Sequence, residues 1–276
     1  KPDVADVSGL TPALQLTSIS ARAHQIIRDQ QNCLMNDVLP ALAENGIEYV
    51  KPENYTEQQK EYIQKIFRSD IFPLLTPLRT DTDPAPHIKN LSVYAAFLLN
   101  PISGIKAEKG SENFSGKEDE LRISFVEIPE VINHVYWLPT ENKKSRQFAL
   151  IDDIILSYGT LLFPGLDVAQ SMLFKVARDA DFAVDEDAGN NFIHAMEDVL
   201  VQRKTSFPVQ MTCNGTSRTI LDFLKEKLEL TSEDIYKIDH IINPNDLMEL
   251  RDWDEDGKMS FNKWEHFYPA DLPEEE

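Results

Sequence analysis

What the sequence has little of narrows its reading first. Cys33 and Cys213 are the only cysteines in 276 residues, too few and too far apart for a disulfide framework or a cysteine-bound zinc. Both read as buried free thiols. Ten glycines leave no room for a glycine-rich phosphate loop or a dinucleotide fingerprint, and neither an HExxH zinc helix nor a serine nucleophile elbow occurs. No apolar run approaches the roughly 20 residues of a membrane helix, and residues 1–9 lack the apolar core of a signal peptide. The chain therefore reads as cytoplasmic, with no membrane insertion. Positive charge is short as well: 27 Lys and Arg stand against 47 Asp and Glu, a net charge of −20. Such a surface repels DNA, RNA and anionic lipid, which argues against nucleic acid as a main partner. It reads first as a solubilising surface and second as a cation-binding one.

What is present is a 42% hydrophobic content, enough for a real core. Thr11-Pro12 is a helix start, and Leu16, Ile19, Ala23, Ile26 and Cys33 recur at helical spacing up to Asn45-Gly46, with Pro40 expected to kink or shorten the helix. Thr56 and Gln59 form a capping box for a second helix carrying Ile63, Ile66 and Phe67. Two antiparallel helices follow from this. Prolines 73, 77, 84 and 86 suggest a domain joint. Beyond it, strands are expected over 91–99, 121–128, 148–151, 171–178, 207–213 and 235–239. Helices are expected over 152–163, 186–204 and 217–228, and an exposed loop over 104–120. The fold class is α+β or α/β: N-terminal antiparallel helices, then a two-layer domain with helices packed on a mixed sheet. The domains are read as 1–80 (helical), 81–268 (an α/β head) and 269–276 (an acidic linker).

Few residues suggest chemistry. His24, His87, His134, His194, His240 and His266 are scattered singly, without the convergent partners that a triad or metal site needs. Asp252, Asp254, Asp256 and Gly257 match the first, third, fifth and sixth positions of a calcium loop, with Ser260 at the ninth. The twelfth is Lys263, where a bidentate glutamate belongs, and Glu265 comes two residues too late. The stretch reads as an acidic turn, and no metal site is assigned. Arg178 stands at a strand end, a frequent functional position in α/β folds. It is a candidate for lining a channel, against the plainer reading of an ion pair with Asp179, Asp181 or Asp185.

Several phrases together resemble one family. LTPALQLTSISARAHQIIRDQQNCLMNDVLPALAENGI (10–47), IFPLLTPLRTD (71–81), IKNLSVYAAFLL (88–99), FVEIPE (125–130), WLPT (137–140), FALIDDIILSYGTLLFPG (148–165), FKVARDADFAVDED (174–187) and DLMEL (246–250) are similar to the N-terminal helical region and head domain of polyphosphate kinases, in the family's order. The resemblance implies reversible transfer of the ATP γ-phosphate to polyphosphate through a phosphohistidine, with ATP and magnesium as the family's cofactors. It also implies dimerisation through the head. The family's catalytic histidines, phosphate-binding arginines and magnesium site lie in two C-terminal domains expected to begin about where this chain stops. The family's adenine-contacting opening is expected just before Lys1. No catalytic residue, cofactor or metal ligand is thus assigned to this chain, which is expected to be inactive alone and to partner itself and those C-terminal domains. A near-calcium loop and a long 104–120 loop depart from the family pattern. The rival reading is a stand-alone acidic interaction module, weakly calcium-binding. An enzyme with its own unrecognised site is a weaker rival, for want of a convergent nucleophile or base.

Overall fold

The computed structural model describes residues 5, 7, 9–83, 86–101, 122–142, 145–179 and 206–253. The expected loop over 104–120, the helix over 186–204, the acidic-turn residues from Asp254 onward and the tail over 269–276 lie outside these residues.

Helix α1, Pro12–Cys33, continues through a wide π turn, Leu34–Val38, into α2, Leu39–Glu44. Thr11 caps its start by accepting from the Leu14 N–H, and Pro12 fits the first turn, where its missing N–H is not needed. Pro40 does not end the helix. Proline lacks an N–H and presses its ring on the carbonyl four residues back. Here Leu39 donates five residues back to Leu34 O, widening the turn just before the ring must fit. The same arrangement recurs before Pro73. Helix α3, Glu57–Ile66, opens on the Thr56–Gln59 capping box and runs into a π turn, Phe67–Ile71, where Phe72 donates to Phe67 O.

The apolar stripe of α1 is not where the helix packs. No residue of α1 is buried, Leu16 and Ile19 are 66% and 63% exposed, and Cys33 is exposed, which corrects its reading as a buried thiol. Cys213 is buried. The helix rests on an adjacent strip instead. Ser20 Oγ donates to Glu233 O at 3.0 Å, Gln31 Nε2 donates to Ile241 O at 3.2 Å, and the His24 ring stacks on Tyr236 with centroids 4.0 Å apart. Periodicity reveals that one face is apolar, not which face meets the body.

Nine strands lie among the described residues: β1 Ile47–Tyr49, β2 Pro77–Arg79, β3 Val93–Pro101, β4 Arg122–Glu127, β5 Val135–Leu138, β6 Arg146–Leu150, β7 Leu166–Arg178, β8 Pro208–Asn214 and β9 Ile235–Ile238. They form two mixed sheets among the described residues, ordered β1-β6-β5 and β2-β4-β3-β7-β8-β9. Parallel pairs, β1 with β6 and β8 with β9, close one edge of each. Helix α4, Ile151–Tyr158, follows β6 directly, and α5, Arg218–Leu228, starts on a Ser217 cap. An N-terminal antiparallel helical segment thus precedes a mixed α/β part with helices packed on its sheets.

Strand β3 explains why its sequence is uniformly apolar: both faces are covered. Val93, Ala95, Phe97 and Leu99 join Ile63, Phe67, Ile71, Ile151, Ile154 and Ile155 in one core. Tyr94, Ala96 and Leu98 join Phe125, Phe174, Ile220 and Leu224 in another. Helix α3 and its π turn thereby share a core with the six-stranded sheet. A third cluster unites Leu34 and Leu39 with Phe148, Leu150, Ile241 and Leu250.

Candidate functional site

Arg178 ends β7, and its side chain folds back on the protein. Nε donates to Ile88 O at 3.0 Å and a terminal guanidinium nitrogen to Ser206 O at 2.5 Å, while its backbone N–H donates to Asn90 Oδ1 at 2.8 Å. Burial lowers its pKa from the ordinary arginine value. The guanidinium joins the segment entering β3 to the segment entering β8. Charged donors on carbonyls make strong hydrogen bonds, and these give Arg178 a positioning role at the strand end. Asp181 and Asp185, two of its expected partners, lie outside the described residues.

A buried polar network sits where the first turn of α4, β7 and the final 3-10 segment, Pro244–Trp253, come together. Asp152 and Asp246 are 4% and 8% exposed. His134 Nδ1 lies 3.0 Å from Asp246 Oδ1, an ion-pair distance. Asp246 Oδ1 accepts from Asn243 Nδ2 at 2.6 Å, and Lys175 Nζ donates to Asn243 Oδ1 at 3.3 Å. Glu249 accepts from the backbone N–H groups of His134 and Val135 at 2.9 and 3.0 Å, latching the 3-10 segment onto β5. Burial, then the Asp246 and Asp153 charges, push Asp152 up to about 7. Desolvation pushes Asp153 up to about 6, opposed by the Tyr49 hydroxyl. The Asp246 contact raises His134, and burial lowers Lys175.

The sequence reading missed this network. Its signals were an Asp152-Asp153 pair at the head of an apolar helix and Lys175 inside an apolar strand, each ordinary alone. Topology brings them together. Among the histidines, His134 has the carboxylate partner that sequence spacing did not show, because Asp246 is over a hundred residues away.

Local charge also departs from the bulk. A cleft of about 710 Å³ between α1 and α5 is lined by Arg28, Arg218, Lys225 and Lys237, with Asp222 as its carboxylate. Asp222 lies 3.6 Å from Arg218 at an exposed position. A cleft of this kind concentrates anions even on an acidic protein.

Residues 58–250 match the family model described as the polyphosphate kinase middle domain, and residues 1–50 match that of the polyphosphate kinase N-terminal domain. The chain belongs to the polyphosphate kinase family. It is 31% identical to a polyphosphate kinase of Bacillus anthracis over 271 residues, covering 97% of this chain and 36% of that protein. It is 29% identical to polyphosphate kinase 1 of Chlorobaculum tepidum, covering 98% and 37%. The chain thus spans little more than a third of these relatives. The crystal structure of polyphosphate kinase from Porphyromonas gingivalis shares its fold, with a TM-score of 0.62 at 20% identity, covering 86% of this chain and 33% of that one. Family membership accounts for the phrases shared in order from residue 10 to residue 250. No helix among the described residues is long and apolar enough to cross a membrane.

Proposed function

We propose that this chain is the N-terminal and head part of a polyphosphate kinase, and that the whole enzyme moves the ATP γ-phosphate reversibly onto polyphosphate through a phosphohistidine. The observation that carries this reading is the pair of consecutive domain matches, 1–50 and 58–250. In this reading ATP and magnesium are bound by the whole enzyme, and the chain alone performs no transfer. Phosphoryl transfer relies on positioning and on stabilisation of charge by Lys, Arg and metal ions. The described residues hold a buried carboxylate cluster and also a cleft lined by Arg28, Arg218, Lys225 and Lys237.

The head supplies dimerisation and rigidity in this reading. The gap between the two domain matches, and the core that α3 shares with β3, favour a joint at residues 51–57 rather than near residue 80. In this reading Arg178 ties residues 88–90 to Ser206 within the head and is the candidate cation on the channel wall of the whole enzyme. Incubating the chain with labelled ATP and polyphosphate, beside a full-length relative as positive control, tests the reading.

A further inference from the structure

A cavity of about 210 Å³ lies between β1, the first turn of α4 and the ends of β8 and β9. Glu53, Asp152, Asp153 and Asp239 bring carboxylates to it, and Lys51 is the cation among its lining residues. Acidity alone would make it only a solvated recess. What distinguishes it is Asp152, which is 4% exposed and whose Oδ1 has no hydrogen-bond partner.

Nearby donors make their hydrogen bonds to groups other than Asp152. The Tyr49 hydroxyl donates to Asp153 at 2.5 Å, the Asn214 amide to the His240 carbonyl, and Lys175 to Asn243. His240 also lines the cavity, and its Nδ1 is buried without a partner. A buried carboxyl group with no donor on Oδ1 is costly to ionise, and such a group calls for a specific explanation.

We propose that this cavity is a binding site for the primary ammonium group of a small organic amine, with Asp152 as its anionic floor. An ammonium group supplies three donors, no acceptor and one positive charge, which matches a lining of carboxylates. A directly ligated metal suits it less, because the described residues contain no group of three His, Cys, Asp or Glu side chains placed to hold one. The volume is below the roughly 300–1,000 Å³ of sites for drug-sized ligands, so the amine is compact.

Binding is coupled to protons. The groups facing Asp152 are Asp153 on α4, Asp246 on the 3-10 segment, His134 ahead of β5 and Lys175 on β7. Burial holds Asp152 substantially protonated near neutral pH, so the ammonium displaces a proton and binds more tightly as pH rises.

Titration calorimetry of the whole chain with putrescine, at 0.15 M salt and at pH 6 and pH 8, tests the proposal. The expected result is one saturable site, several-fold tighter at pH 8, weakened at least tenfold by Asp152→Asn and several-fold by Asp239→Asn. Glu61→Gln, an exposed charge change on α3, should leave it unaltered. Asp239 is exposed, so its variant keeps the test open should Asp152→Asn fail to fold. Absence of saturable binding, equal weakening by Glu61→Gln and the cavity variants, or tighter binding of Mg²⁺ than of putrescine at the same site would overturn it.

Discussion

The Tyr49 hydroxyl donates to Asp153 Oδ2 at 2.5 Å, joining residues 104 positions apart in sequence. Tyr49 ends β1, whose parallel pairing with β6 brings it beside the first turn of α4. The contact pins the N-terminal segment to the head through one charge-assisted hydrogen bond. Tyr49→Phe keeps the ring against Phe148 and leaves Asp153 mostly buried without its donor. The expected loss is about 1–3 kcal/mol, measured by urea unfolding. A loss below about 0.5 kcal/mol would show that the contact does not anchor the segment.

Stability should fall as pH rises from about 5 to 8. Asp152 and Asp153 titrate near 7 and 6 in the fold against roughly 4 when unfolded. The folded state therefore binds more protons over that window, and stability declines as they are lost. His134, raised by Asp246, acts in the same direction: its contribution is present below its unfolded pKa and lost as pH passes the raised one. At about 1.4 kcal/mol per pKa unit, Asp152 alone accounts for on the order of 4 kcal/mol. Thermal unfolding should show the melting temperature dropping toward pH 8, with a shallower slope in Asp152→Asn. A flat or rising profile would contradict the buried-carboxylate account.

Much of the architecture was legible in the sequence, and the remainder was hidden for physical reasons. Apolar runs marked β3 and β4, and caps at Thr11 and Thr56 marked helix starts, because those signals are local. Strands β1 and β2 were missed: each is three residues long and made a strand only by its partner, β6 or β4. Strand β5 was missed for a similar reason, since its pattern gains meaning only against β6. The network of Asp152, His134, Lys175 and Asp246 was illegible because its members come from four separate segments. Arg178 was correctly placed at a strand end, but its carbonyl partners on Ile88 and Ser206 carry no side-chain signature.

Arg178→Ala should cost about 2 kcal/mol, since it removes two charge-assisted donors from partly buried carbonyls. Arg178→Lys should recover only part of this, because an ammonium cannot reproduce the planar fork that reaches two carbonyls. Chemical denaturation of the three proteins decides it. A loss below about 0.5 kcal/mol, with reduced polyphosphate synthesis when the change is made in the whole enzyme, would instead make Arg178 a channel-lining residue with no structural role.

Gly215 should resist replacement. Its φ of +130° is a region that side chains rarely adopt, and an added Cβ would lie 2.7 Å from Met172 Cβ. Met172 is 1% exposed and has little freedom to yield. Gly215→Ala should destabilise by roughly 2–4 kcal/mol, whereas Gly165→Ala, strained but in open space, should cost less. Equal melting temperatures for the two variants would contradict this packing.

The most direct measurement follows label from [γ-³²P]ATP into polyphosphate, and from labelled polyphosphate back into ATP, with the purified chain, magnesium and a full-length relative assayed in parallel. The account predicts transfer in both directions by the relative and none above background by this chain. Transfer that stays with the chain through successive purification steps would contradict it and would require a phosphoryl-transfer centre within these 276 residues.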